Sequence, residues 1–170
     1  MHINCVQFNF TQSKNGMESL QLKDQLCFPI YALSRLITTL YRPHLEKLGV
    51  TYPQYLVMLV LWENEEMCVR DIGEMLWLDS GTLTPLLKRM EENGLIKRCR
   101  STRDERHMLI HLSDQGRKMK EEAWIIPHNL KAELEMEENE LSELQKEFYK
   151  LLSIVTTKCK NKCKNKSESK

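Results

Sequence analysis

Between residues 22 and 48 apolar side chains return every three or four positions, at Leu26, Ile30, Leu33, Leu36, Ile37 and Leu40. That is the repeat of a helix with one buried face. Pro29 fits such a helix only in its first turn, where the N–H it lacks would have no partner anyway, so the helix is expected to begin near Gln25 to Cys27. Pro43 bends or ends it near the other end, and Gly49 closes it. Thr51 with Gln54 is a capping-box pair that opens a second helix from 52 to about 63, rich in Leu, Val and Met. Residues 69–76, VRDIGEML, form a short amphipathic helix expected to turn Ile72, Met75 and Leu76 inward. After the link WLDSG, Asp79 or Ser80 caps a helix over 81–92 whose end is marked by Gly94. Residues 95–100 and 107–112 flank the polar loop STRDER, and Met108, Ile110 and Leu112 alternate with His107, Leu109 and His111 at the period of a half-buried strand, giving a hairpin. Ser113 caps a helix from 114 to about 126, broken at Pro127. Leu141, Leu144, Phe148, Leu151, Leu152 and Val155 mark a last helix of about 17 residues.

Helix, short helix, polar-faced helix and hairpin in that order give the fold class: mainly α with a small β-hairpin wing, a winged helix-turn-helix. The first and last helices carry apolar faces too broad for one small wing domain to cover, which implies dimerisation through the N- and C-terminal helices. The domain reading is a disordered extension over 1–18, an N-terminal dimerisation helix over 19–48, the winged helix-turn-helix DNA-binding domain over 49–112, C-terminal dimerisation helices over 113–157, and a basic disordered tail over 158–170.

With 25 Lys and Arg against 24 Asp and Glu, net charge proposes no partner, but its distribution does. Residues 97–106, KRCRSTRDER, hold five basic and two acidic side chains, whereas residues 131–147 hold seven Glu and two Lys. A basic hairpin following a helix-turn-helix points to double-stranded DNA. No run of apolar residues is long enough for a membrane span and no signal peptide is visible, so a cytoplasmic protein with no membrane partner is expected. The six cysteines, at 5, 27, 68, 99, 159 and 163, read as reduced thiols rather than a disulfide framework. His107, His111 and Cys99 fall on the hairpin without any metal-site spacing, so no metal and no cofactor are expected. A thiol-based enzyme would want a C-x-x-C pair or alternating strands and helices; neither is present.

The stretches LDSGTLTPLLKRMEENGLI (78–96), DER (104–106), LKDQLCFPIYALSR (22–35) and LGVTYPQYLVMLVLWE (48–63) together carry a specific match. Over roughly residues 20–155 the chain resembles the MarR family of dimeric winged-helix repressors, in the branch that senses organic hydroperoxides, the OhrR type. The resemblance implies that Cys27 is the redox-sensing thiol, hydrogen-bonded across a subunit interface by Tyr41 and Tyr52, with Tyr31 lining the same pocket. No cysteine lies between 113 and 130, which fits the subclass with one sensing cysteine. Pro29 and the outlying cysteines depart from the family pattern.

The chemistry of Cys27 is consistent with that role. Thiolate is the reactive form, and a helix N-terminus with hydroxyl donors favours it. Its oxidation products are bulkier, so an interface around it must rearrange. Leu26, Phe28 and Ile30 favour greasy hydroperoxides, and a low-molecular-weight thiol is a possible second reactant. For DNA, Ser80, Thr82, Thr84, Lys88 and Arg89 face the major groove. Arg103 and Arg106 sit at the wing tip, where the family places the Arg106 position in the minor groove, and Asp104 orients the wing. The implied function is a homodimeric repressor that leaves a pseudo-palindromic operator when Cys27 is oxidised. The alternative is a MarR-type regulator controlled by a non-covalent small molecule or by a broader thiol-stress or virulence signal.

Overall fold

The first apolar repeat folds as α1, Cys27–Leu48, in a computed structural model that describes residues 20–100 and 107–167. A short 3-10 turn at Leu22–Asp24 precedes it. Cys27 is the first helical residue and Pro29 the third, so the proline ring stands in the turn where no intrahelical N–H is needed. Pro43 lies inside α1, which continues to Leu48. Gly49 then takes a left-handed φ of 67°, and the N–H groups of Gly49 and Val50 return to the carbonyls of Glu46 and Leu45.

Helix α2, Tyr52–Asn64, starts at the expected box: Gln54 Oε1 accepts from the Thr51 N–H at 2.8 Å and from the Thr51 hydroxyl at 3.1 Å. It supplies the centre of the core through Tyr55, Val57, Met58, Val60, Leu61 and Trp62. The Trp62 indole N–H, buried with its ring, donates to the Gly116 carbonyl at 2.8 Å. Trp77 and Trp124, by contrast, are exposed, so only one of the three tryptophans belongs to this core.

Strand β1, Glu66–Cys68, was not foreshadowed by any pattern, since three residues carry no legible period. It pairs antiparallel with β3, Met108–Leu112, which pairs on its other side with β2, Ile96–Arg100. The wing is therefore a three-stranded sheet in the order β1-β3-β2, not a bare hairpin. Ile96, Ile110 and Leu112 are buried on its inner face.

Helix α3, Val69–Leu76, buries Ile72 and Gly73. Met75, expected inside, is 48% exposed. The packed side is centred between Ile72 and Gly73, where a Cβ on Gly73 would stand 2.8 Å from the Leu78 carbonyl oxygen, and Met75 points about 110° away from that centre. Helix α4, Ser80–Glu92, is capped by Asp79, whose carboxylate accepts from the Thr82 N–H at 2.9 Å and the Thr82 hydroxyl at 3.1 Å. Leu83, Leu87 and Met90 are buried beneath it, and Leu86 packs at the edge.

Helix α5, Asp114–Ala123, is capped by Ser113, which accepts from the Gly116 N–H at 2.9 Å and donates to the Gly94 carbonyl. A side chain at Gly116 would collide with the Leu95 carbonyl and crowd Met58. Pro127 is the second residue of a separate helix, α6, Ile126–Leu134, so it starts a helix as well as ending one.

The chain divides after Ile126, and the core described above lies in the first part. In the second part α7, Glu138–Ser167, opens with Glu138 and Glu140 at its positive end, where carboxylates are favoured; Lys131 reaches Glu138 at 3.0 Å. At 30 residues it is longer than the sequence pattern suggested and runs through most of the lysine-rich segment read as an unstructured tail. Lysine is a good helix former even without an apolar face to bury.

Candidate redox and DNA-binding sites

Cys27 stands at the N-terminus of α1 with its thiol exposed. The neighbouring Leu26, Ile30, Leu33 and Leu36 are exposed too, Leu26 to 69%, so the apolar stripe that marked the helix is left uncovered within one chain. Tyr31 follows Cys27 by one turn. Its hydroxyl accepts from Arg35 Nη1 at 2.8 Å, and the guanidinium lies 5.6 Å from the ring centroid.

Tyr41 and Tyr52 come together at the far end of the helix, with ring centroids 5.0 Å apart. Tyr55, which the sequence reading did not single out, completes the group at 5.8 Å from Tyr41 and carries the contact on to Trp62 at 6.2 Å. Its three-residue spacing from Tyr52 on α2 was the available signal. Burial pushes the Tyr41 hydroxyl up to about 12, with Tyr52 and Tyr55 adding to the effect, and raises Tyr52 and Tyr55 as well. All three remain O–H donors at neutral pH. Tyr41 is fourteen positions beyond Cys27 on the same helix, which at a rise of about 1.5 Å per residue is about 21 Å. The sulfur and the Tyr41 ring of one chain therefore cannot touch.

On α4 the structure places Ser80, Thr82, Thr84, Lys88 and Arg89 on the exposed side. Thr82 is already committed to Asp79, so its hydroxyl can only accept. Lys88 lies 3.8 Å from Glu92. Arg103, Asp104 and Arg106 fall outside the described residues. Of the basic residues that enter the wing, Arg98 has a structural task. Its Nε bonds Glu91 Oε2 at 2.7 Å, and its backbone N–H bonds Glu91 Oε1 at 2.9 Å, fastening β2 to the end of α4. Those bonds hold the Glu91 carboxyl below its usual range.

Among the described residues, no three metal-binding side chains are grouped closely enough to hold an ion. The imidazole near a thiol is not the pair considered from sequence: His107 Nδ1 lies 3.7 Å from Cys68 Sγ, while His111 pairs with Glu66 at 3.1 Å. A cleft of about 440 Å³ opens between the end of α1 and α5, lined by Lys47, Leu48, Gln115, Lys118, Met119 and Glu122.

Residues 39–123 match the family model of the SarA/Rot transcriptional regulators. The organic hydroperoxide resistance transcriptional regulator of Bacillus subtilis is 47% identical over 145 residues, spanning 85% of this chain and 99% of that protein. The chain belongs to the MarR family, in its organic-hydroperoxide-resistance branch. Like other MarR-family members it is a DNA-binding transcriptional regulator and not an enzyme. A solved relative is AbfR of Staphylococcus epidermidis. Its reduced, DNA-bound structure is 38% identical, covers 82% of this chain and 95% of its own, and superposes with a TM-score of 0.72. The disulfide form of AbfR superposes with 0.57. A cysteine-to-serine mutant of Escherichia coli MarR in complex with operator DNA, at 22% identity and covering 75% of this chain and 93% of its own, shares the fold with a TM-score of 0.68. Within the family, no helix among the described residues of this chain is long and apolar enough to cross a membrane.

Proposed function

We propose that the chain works as a cytoplasmic homodimeric repressor whose Cys27 reacts with organic hydroperoxides, and that the reaction releases a pseudo-palindromic operator. The observation that carries this reading is the separation along α1. An exposed sulfur at one end and a cluster of protonated phenols at the other become one site when two copies of α1 cross with opposite polarity. Cys27 of one protomer then meets Tyr41 and Tyr52 of its partner, with Tyr31 beside it. The uncovered stripe of Leu26, Ile30, Leu33 and Leu36 supplies the apolar surface for that crossing, and Leu144, Phe148, Leu152 and Val155 on α7 supply another.

In the reaction, the Cys27 thiolate attacks the outer peroxide oxygen, the O–O bond breaks, and the alkoxide leaves as an alcohol once it gains a proton; the sulfur becomes a sulfenic acid. A low-molecular-weight thiol can condense with it, losing water and leaving a mixed disulfide. Either product is larger than the thiolate and cannot keep the same tyrosine bonds, so the seam shifts and the two α4 helices lose their spacing.

The test is an operator titration of the parent and Cys27→Ser, with and without cumene hydroperoxide, followed by intact mass. The parent is expected to lose the operator under oxidant and the variant to keep it. A variant that is released as readily as the parent would dismiss Cys27 as the trigger. The cleft beside Lys47 and Lys118 favours a second reading, control by a non-covalent anionic ligand, under which Cys27→Ser would still respond to that ligand.

A further inference from the structure

The outer face of the wing sheet gathers side chains that the peroxide reading does not use. Residues directly opposed on neighbouring strands share a face, so Glu66 and Cys68 of β1, Leu109 and His111 of β3, and Lys97 and Cys99 of β2 lie on one side. His107, two residues before Leu109, falls on the same side by strand alternation, and its Nδ1 is 3.7 Å from Cys68 Sγ. Cys68 is also the residue that precedes α3, and Arg70 of that helix is close enough to interact with it electrostatically. A nucleophile, a base within reach of its proton and a neighbouring cation occur here together.

We propose that Cys68, with His107 as its proton acceptor, is a second thiol-modification site, taking small polar disulfides of the glutathione type and working independently of Cys27. The surroundings select the reactant class. Cys27 stands on the uncovered stripe with Leu26 and Ile30, whereas Cys68 has His107 and Arg70 beside it, the latter also paired with Glu74 at 3.0 Å, which suits a polar, charged solute more than an alkyl hydroperoxide. In the reaction His107 takes the thiol proton and the sulfur attacks one sulfur of the disulfide. The S–S bond of the reagent breaks, and its other half leaves as a thiolate that receives the proton from His107. Cys68 is oxidised to a mixed disulfide and one equivalent of free thiol is released. An internal disulfide is not the outcome, because Cys68 and Cys99 flank Leu109 on opposite neighbouring strands. Two strand spacings separate them by roughly 9.6 Å, beyond the ~7 Å that a disulfide spans between Cα atoms.

Cys99 provides the control. It lies on the same face and is exposed, whereas Cys68 is half-buried, so accessibility alone predicts that Cys99 reacts faster. The experiment treats the full-length Cys27→Ser protein with oxidised glutathione and follows adducts at each cysteine by peptide mapping over time. Cys68 is expected to outpace Cys99, and His107→Gln is expected to slow Cys68 by about a hundredfold while leaving Cys99 unchanged. The ratio of the two rates is read within the Cys27→Ser protein before His107 is changed, so this half of the test does not depend on how well His107→Gln folds. Cys99 labelling at or above the rate of Cys68, or a Cys68 rate indifferent to His107→Gln, overturns the proposal.

Discussion

Tyr41 shows how much a single side chain's surroundings decide. Its hydroxyl is pushed up to about 12 because burial penalises the phenolate. A group whose proton is held more tightly in the folded state lends stability that is complete below its unfolded value near 10 and is lost as pH rises through the folded value. Spectrophotometric titration is therefore expected to show a late tyrosine phase above about pH 10, shared with Tyr52 and Tyr55, whose latest part, near 12, is lost in Tyr41→Phe. A phase unchanged by that substitution would contradict the cluster. On the DNA side, Arg89→Ala is expected to weaken operator binding and to lower the slope of log affinity against log salt by about one, as the loss of one phosphate contact does. Residue types were the legible part of these sites. Cys27, Tyr41 and Tyr52 stood out through the family resemblance, and the row from Ser80 to Arg89 through its place on the polar side of a helix. Tyr55 did not, because a tyrosine inside an apolar helix looks like filling, and neither did the Cys68–His107 pairing, which depends on β1 folding back beside β3.

Among the elements, α2, α4 and α5 follow the sequence closely because they have local start or stop signals: Thr51 with Gln54, Asp79, Gly94, Ser113. What could not be read locally was β1, which exists only through its partner strand, and the far reach of α7, which lacks an apolar repeat in its last third. The junction of α4, the wing and α5 is set by close backbone approaches. Gly116→Ala is expected to cost about 1–3 kcal/mol, read from urea unfolding, since its methyl would meet the Leu95 carbonyl; a neutral result would mean that the loop before α5 yields freely. The Glu91–Arg98 clamp has a pH signature of its own. A carboxyl held below its usual 4.5 contributes above that value and is lost as pH falls beneath it. Glu91→Gln is expected to flatten the acid side of the stability curve there.

For the whole molecule, the proposed dimer makes stability a function of concentration. Thermal midpoints are expected to rise with protein concentration, and Phe148→Glu, which puts a charge on the apolar side of α7, is expected to reduce the dependence and shift sedimentation toward a single chain. A midpoint indifferent to dilution would oppose assembly through these helices. The apolar stripes of α1 and α7 imply that something must cover them, yet no pattern in one chain specifies how two such helices cross.

The length of α1 has a genetic corollary. Because the sulfur and phenols of one polypeptide stand about 21 Å apart, every complete switch in the proposed dimer would borrow half of its parts. Cys27→Ser and Tyr41→Phe are each expected to cripple the response when expressed alone. Co-expressed, they would assemble mixed pairs holding one wild-type pocket and one doubly broken pocket, so the mixed dimer, separated from both homodimers, would regain a release by oxidant that neither variant shows by itself.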